Sequence, residues 1–137
     1  MVTHNENETI RAGEEFSKRL TSGAVVALIG DLGSGKTRFA KGISRGLGVQ
    51  ETVTSPTFTI INEHLHGRLP LYHFDCYRLR SVSELDEIGF EEYIYWDGIC
   101  VLEWADMIAS RLPEKRFDVH CSLGTDEHER IITIEQR

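Results

Sequence analysis

The chain has 137 residues, a net charge of −7, and 40% hydrophobic and 27% charged residues, which is typical of one soluble globular domain over residues 1–137. No apolar run approaches the roughly 18 residues of a membrane span, and the polar N-terminus lacks the apolar core of a secretory signal. We therefore expect a cytoplasmic protein without membrane contacts. The negative charge argues against tight, autonomous nucleic-acid binding, because proteins that grip phosphate backbones are usually basic.

The first third of the chain predicts a helix, a buried strand and a second helix. Residues 9–21 are expected to form an amphipathic helix that Thr9 caps. Small and apolar residues recur along it at helical spacing, namely Ile10, Gly13, Phe16 and Leu20. The apolar run AVVALIG at 24–30 is typical of a strand buried on both faces of a parallel sheet. A glycine-rich turn then leads into a helix over about 35–47.

The middle of the chain predicts a hairpin followed by a short helix. Residues 52–57, TVTSPT, are expected to form a loop, because the residue before a proline avoids the helical conformation. Strand-like runs at 58–65 and 70–77 are separated by a short turn and predict a β-hairpin. The sequence SVSE at 81–84 has the spacing of a capping box, which would open a helix that ends near residue 88.

The last third predicts a second buried strand and a closing hairpin. The strand is ICVLEW at 99–104, and a short helix at 105–112 follows it and stops before Pro113. Strands at 117–123 and 130–136 flank a polar turn and would form the hairpin. Together these elements predict a mixed sheet with a parallel centre, antiparallel hairpins and helices on both faces. The three cysteines are far apart and are expected to be buried free thiols: Cys76, Cys100 and Cys121.

A phosphate-binding motif follows the first predicted strand. Residues 30–37, GDLGSGKT, fit G-x-x-x-x-G-K-[ST], and the strand and helix on either side supply the expected context. Its glycines allow backbone N–H groups to converge on phosphate oxygens, next to the positive end of a helix. Lys36 would contact the β- and γ-phosphates, and the Thr37 hydroxyl would coordinate Mg²⁺. The predicted fold class is thus an α/β, P-loop NTPase-like three-layer sandwich.

Two carboxylates end predicted strands, where a P-loop site requires an acid near Mg²⁺. Asp75 ends LYHFD and Glu103 ends ICVLE. Either could hold the metal directly or through water, and the other could orient or deprotonate an attacking water. The residues alone leave these roles open, and an ordinary ion pair between Asp75 and Arg78 is the alternative. The loop TSPT at 54–57 could place hydroxyls near the γ-phosphate or could be an ordinary polar loop.

The order of five segments resembles the bacterial TsaE (YjeE) family over most of the chain. The segments are GDLGSGKT, TSPTFTIINEH, YHFDCYRL, EIGFEEYI and VLEWAD. That family is the small ATPase component of the system that makes N6-threonylcarbamoyladenosine in tRNA. The resemblance implies ATP and Mg²⁺ as cofactors, with TsaD and TsaB as protein partners that the ATPase resets or remodels between turnovers. It implies at most indirect or weak contact with tRNA.

The resemblance also assigns roles to residues. Asp75, Glu103 and Lys36 would be catalytic, and the metal would be held by Thr37, Asp75 and Glu103. Seven residues of the P-loop would bind the nucleotide: Gly30, Leu32, Gly33, Ser34, Gly35, Lys36 and Thr37. Trp104 would lie next to them, and Thr9 and Arg130 are two weaker candidates.

Other functions remain open at this stage. Residues 86–89 match the D-x-x-G of GTPases, but they fall in a predicted helix, and no N-K-x-D motif occurs. A small-molecule kinase would need a lid and an acceptor pocket, for which little chain remains. A partner-independent, nucleotide-dependent switch is the third alternative. Separately, Arg38, Lys41 and Arg45 share one helix face, which either is simply solvated or docks an acidic partner surface or the tRNA backbone.

Overall fold

The structure is a computed structural model that describes residues 1–50, 61–77 and 79–137. Its elements in chain order are β1 (Val2–Thr3), α1 (Glu6–Ser17), β2 (Val25–Ile29), α2 (Lys36–Gly46), β3 (Ile61–His64), β4 (Leu71–Asp75), α3 (Glu84–Glu87), α4 (Phe90–Tyr95), β5 (Ile99–Glu103), a 3₁₀ helix (Ala105–Arg111), β6 (Phe117–Leu123) and β7 (Arg130–Gln136). The predicted loop at 52–57, the first residues of the strand predicted from 58, and Arg78 lie outside the described residues. In the described ranges, no helix is long and apolar enough to cross a membrane.

The described strands form a seven-stranded sheet in the order β1-β7-β6-β2-β5-β4-β3. The four central strands β6, β2, β5 and β4 are parallel, while β3, β7 and β1 add to the two edges by antiparallel pairing. The predicted mixed sheet with a parallel centre and antiparallel hairpins is confirmed. Because β2, β4 and β5 run parallel, their carboxyl ends meet at one edge, where ligands bind in open α/β sheets.

Helices cover both faces of the central strands and complete the predicted three-layer sandwich. On one face, α1 and α2 bury Phe16, Phe39 and Ile43 against alternate residues of the sheet. On the other face, α3, α4 and the 3₁₀ helix complete a second core, in which Phe90 packs edge-on to Phe74. Successive strand residues point to opposite faces, so the continuous apolar runs of β2, β4 and β5 supply both cores.

The first helix begins earlier than predicted. The N-cap is Asn5, not Thr9: Asn5 has extended backbone and its side-chain oxygen accepts a hydrogen bond of 2.9 Å from the backbone N–H of Glu8. Thr9 lies in the first turn, where its hydroxyl is buried and 2.7 Å from that of Thr3. The prediction was wrong because β1 pairs with the distant strand β7, and this long-range pairing fixes the chain just before the helix.

The segment between β4 and β6 also differs from the prediction. Ser83 precedes α3 without a side-chain cap, and the carboxylate of Glu84 accepts from the backbone N–H of Arg80, so the predicted capping box does not form. The helix α4 was not predicted from the sequence. It starts after Gly89, whose backbone is in the left-handed conformation (φ 74°). The helix predicted at 105–112 is a 3₁₀ helix with a kink at Ile108.

The cysteine prediction is confirmed. All three thiols are buried and free. Burial raises the pKa of Cys76 and Cys100 to about 12 and that of Cys121 to about 11. At neutral pH these side chains are therefore protonated. The reactive form of cysteine is the thiolate, so the three thiols behave as small apolar residues of the core.

Two glycines allow α1 and α2 to approach closely. A Cβ at Gly13 would overlap the carbonyl oxygen of Phe39, and a Cβ at Gly42 would overlap that of Ile10. Both obstacles are backbone atoms, which cannot rotate away as a flexible side chain could. Thr9 of α1 and Lys36 and Thr37 of α2 line one pocket, so this helix contact also brings two sides of that pocket together.

The substitution Gly42→Ala tests this contact. Alanine favours the helix by up to about 1 kcal/mol, but overpacking against backbone costs about 1–3 kcal/mol, so we expect a net loss of stability in urea unfolding. The matched control is Glu15→Ala on the exposed side of α1, where only a surface pair with Lys18 is lost and the change should stay within about 0.5 kcal/mol. A stabilised Gly42→Ala protein would contradict the close packing.

Candidate functional site

A pocket of about 670 Å³ lies at the carboxyl ends of β2, β4 and β5. The structure brings together there most of the residues that the sequence predicted for the site: Thr9, Leu32, Gly33, Gly35, Lys36, Thr37, Asp75, Glu103, Trp104 and Arg130. Gly30 and Ser34 belong to the same loop but do not line the pocket. Ser34 is 1% exposed, and its hydroxyl is buried without a hydrogen-bond partner among the described residues.

Glycine shapes the loop between β2 and α2. Gly33 and Gly35 have φ of 79° and 102°, a region that other residues rarely adopt. A Cβ at Gly30 would overlap the carbonyl oxygen of Cys121 on β6. Gly35 is the N-cap of α2 and makes no side-chain cap, so the positive end of the helix dipole lies at this loop, where an anion is favoured.

Lys36 is folded back onto its own loop. Its ammonium group donates to the carbonyl oxygens of Gly30 and Asp31, the latter at 2.9 Å, and lies 3.8 Å from the centre of the Trp104 ring. Burial lowers the pKa of Lys36, and the nearby charge of Glu103 opposes that shift. The ammonium is thus held by carbonyl dipoles and an aromatic face, which an anionic ligand could replace.

The two strand-end acids are neighbours across the sheet. Asp75 on β4 pairs in register with Glu103 on β5, so both side chains lie on the face covered by α1 and α2. Glu103 is 2% exposed, and its Oε1 accepts a 2.8 Å hydrogen bond from the Thr37 hydroxyl. Oδ1 of Asp75 accepts a 3.0 Å hydrogen bond from the backbone N–H of Tyr77.

The donor set at this edge fits Mg²⁺. The Thr37 hydroxyl, a Glu103 carboxylate oxygen and the Asp75 carboxylate are hard oxygen ligands that line one pocket, and Mg²⁺ prefers oxygen. Among the described residues, no three His, Cys, Asp or Glu side chains are grouped to hold a metal. Mg²⁺ commonly takes one or two carboxylates from the protein and completes its shell with phosphate and water.

The two weaker candidates from the ends of the chain reach the pocket through contacts with other site elements. Arg130, the first residue of β7, donates from Nε to the carbonyl oxygen of Gly33 at 3.0 Å and from Nη1 to the carbonyl oxygens of Glu127 and Glu129. It therefore ties the hairpin loop before β7 to the P-loop. Thr9 is held by Thr3 and contributes to the pocket wall next to Gly35.

Several pocket residues were missed in the sequence. They are Asn5, Glu6, Arg38, Tyr77 and His128. Tyr77 lies beside Trp104, with 4.8 Å between ring centres. His73 was also missed: it is 1% exposed, and its Nε2 is 2.5 Å from Oε2 of Glu103. A signal existed for His73, because it precedes Asp75 by two residues on one strand and must share its face.

The basic face predicted on α2 is largely neutralised by α1. Arg38 pairs with Glu6 at 3.3 Å, and Arg45 pairs with Glu14 at 4.0 Å. These exposed pairs contribute little to stability, but they place a carboxylate beside two of the three positive charges on this face. Spacing along α2 alone did not reveal these pairs, because the acidic partners lie on the neighbouring helix α1. Docking of an acidic partner surface or the tRNA backbone on this face stays a prediction.

Comparison with known proteins identifies the family. A model of the family described as "Threonylcarbamoyl adenosine biosynthesis protein TsaE" matches residues 3–132. The chain is 43% identical over 130 residues to the tRNA threonylcarbamoyladenosine biosynthesis protein TsaE of Treponema pallidum, covering 95% of this chain and 96% of that protein. It is 43% identical over 132 residues to the protein of the same name from Bacillus subtilis, covering 96% and 82%.

A solved structure agrees with this result. The crystal structure of YdiB from Bacillus subtilis superimposes with a TM-score of 0.81 at 39% identity, covering 98% of this chain and 82% of that one. The family match over residues 3–132 runs from the end of β1 into β7. It therefore includes the P-loop, both strand-end acids and most of the closing hairpin. The chain belongs to the TsaE family of tRNA threonylcarbamoyladenosine biosynthesis proteins.

Proposed function

We propose that this chain is the Mg²⁺-dependent ATP-binding and ATP-hydrolysing component of the tRNA N6-threonylcarbamoyladenosine system, acting in the cytoplasm with TsaD and TsaB to reset or remodel the transferase complex. The observation that carries the proposal is the contact between Thr37 of the P-loop and Glu103 of β5. It joins the phosphate-binding loop to a buried strand-end acid inside one pocket, the combination that a P-loop NTPase requires.

The pocket favours a polyphosphate on electrostatic grounds. The N-terminus of α2 and the glycine-rich loop direct backbone N–H groups and positive partial charge toward it. Lys36 adds a full positive charge whose present partners are carbonyl oxygens. On phosphate binding the ammonium would exchange these neutral acceptors for anionic ones, which form stronger hydrogen bonds.

The strand-end acids suit the metal and the attacking water. A bound Mg²⁺ would neutralise charge on the transferring phosphoryl group. Thr37 and Glu103 would hold it through oxygen atoms, and Asp75 would either share that task or orient a water. Trp104 lies over Lys36, so its ring helps to exclude bulk solvent from the ammonium and strengthens electrostatic interactions there.

Two alternatives are less well supported. The D-x-x-G sequence at 86–89 lies in α3 and the turn after it, not at the end of a strand beside the P-loop, so a GTPase switch has no structural basis there. A small-molecule kinase would transfer phosphate to a metabolite without protein partners. The net charge of −7 is consistent with tRNA being handled mainly by the partner proteins.

Turnover measurements test the proposed function. ATP hydrolysis should be slow for the isolated chain and should rise when TsaD and TsaB are added, with a further series containing tRNA. GTP should compete poorly with ATP. Phosphate transfer to a small metabolite in the absence of partners would favour the kinase instead, and an ATPase rate that TsaD and TsaB do not change would argue for a partner-independent switch.

Lys36→Ala should weaken ATP binding by about 1.5–3 kcal/mol, the cost of losing hydrogen bonds to a charged group. We expect the lower half of that range, because Lys36 gives up two carbonyl contacts when it binds phosphate. Isothermal titration calorimetry would measure the change. Lys41→Ala is the matched control, since Lys41 lies on the same helix outside the pocket. Equal losses in both variants would contradict the assignment.

Asp75→Asn and Glu103→Gln should impair hydrolysis more than binding. Removal of a group that positions the metal or the water should lower the hydrolysis rate by about 100-fold or more, whereas the P-loop contacts to phosphate remain. Single-turnover hydrolysis and ATP affinity would be compared for each variant. Asp97→Asn, at an exposed carboxylate outside the pocket, should leave the rate unchanged. Full activity in both acid variants would rule out the site assignment.

A further inference from the structure

His73 is a buried polar residue directly behind the site. It lies on β4 and is 1% exposed, and it does not line the pocket. Its Nε2 is 2.5 Å from Oε2 of Glu103, while Oε1 of the same carboxylate accepts from the Thr37 hydroxyl at 2.8 Å. The two oxygens of Glu103 therefore have different partners, one in the core and one at the pocket.

The two ring nitrogens of His73 have unequal surroundings. The carboxylate of Glu103 accepts hydrogen bonds, so Nε2 donates in this contact. Nδ1 is buried without a hydrogen-bond partner in the part of the chain that the structure describes. Among the described residues, the one side-chain hydrogen bond of His73 is thus directed at Glu103.

This hydrogen bond has a consequence for the orientation of Glu103. The glutamate side chain has three rotatable bonds, and its carboxylate is 2% exposed beside the apolar core of the α1–α2 face. A buried carboxylate oxygen that loses its donor is costly, so removal of His73 favours rotamers of Glu103 that give Oε2 another donor. Such rotamers would move Oε1 away from its present position beside Thr37.

We propose that His73 is a positioning residue that fixes Glu103 so that Oε1 faces Thr37 and the metal position. This inference rests on the proposed function, because the orientation matters only if Mg²⁺ and ATP bind in the pocket. In this arrangement the two oxygens of the Glu103 carboxylate have different roles. Oε2 accepts from His73 in the core, and Oε1 is directed at Thr37 and the metal position. Partners that orient metal ligands from behind in this way are general features of metal sites.

The test compares His73→Leu with His73→Gln. Leucine keeps an apolar volume but removes the donor, while the glutamine amide can place an N–H near the position of Nε2. Affinity for a non-hydrolysable ATP analogue is measured by calorimetry with Mg²⁺ and with EDTA. For His73→Leu, the gain in affinity due to Mg²⁺ should fall by about 10- to 100-fold and binding in EDTA should be unchanged. His73→Gln should restore most of the Mg²⁺-dependent gain.

His64→Leu is the matched control. His64 is also a buried histidine, but it lies on the edge strand β3 and pairs with Leu71, whereas Asp75 is at the other end of β4. It should leave the Mg²⁺-dependent gain unchanged. A wild-type gain in His73→Leu would overturn the proposal, and so would an equal loss in His73→Leu and His73→Gln, which would indicate a purely structural role.

A measurement without nucleotide separates this inference from the proposed function. Urea midpoints are compared for His73→Leu, Glu103→Gln and the double variant of the nucleotide-free protein. If His73 holds Glu103, the two shifts should be clearly non-additive, since both changes alter the same hydrogen bond. Additive shifts would overturn the positioning role even if ATP binds. If the shifts are non-additive but the protein binds no ATP, the contact between His73 and Glu103 is supported and the proposed function is refuted.

Discussion

The parallel pairing of β2 with β5, and of β5 with β4, is the constraint on which the site depends. It brings the loop after β2 to the same edge as the last residues of β4 and β5. The Thr37–Glu103 hydrogen bond joins residues 66 positions apart in the chain, and no local interaction could create it. Every other feature of the pocket is arranged around this edge: α2 starts there, and Arg130 of β7 holds the loop from the other side.

Polar groups at this edge are costly to bury, and the structure offsets that cost by pairing them. Lys36 and Glu103 are each at most 5% exposed, and both are hydrogen bonded by side chains or carbonyl groups. The compensation comes from short contacts between different elements, so it requires the sheet and α2 to be in register. The two apolar cores supply the stability that keeps this arrangement in place.

The elements that the sequence predicted well are those with a strong local signal. The apolar runs of β2 and β5 and the glycines around α2 were located to within about two residues, since strand burial and helix ends leave direct marks on the sequence. The missed elements depend on distant partners. Strand β1 has only two residues and exists because β7 pairs with it, and Asn5 became the helix cap because β1 fixed the chain before it.

The sequence by itself determined the family and the residue types of the candidate site. GDLGSGKT, the two strand-end acids and the spacing of the family motifs could be read without coordinates, because they are local patterns of residue types. Only the tertiary structure decided how those groups are used. It assigned His73 to one oxygen of Glu103 and Thr37 to the other, placed Lys36 on its own loop under Trp104, and paired the arginines of α2 with α1. Such pairings depend on distances between elements, which a single sequence does not contain.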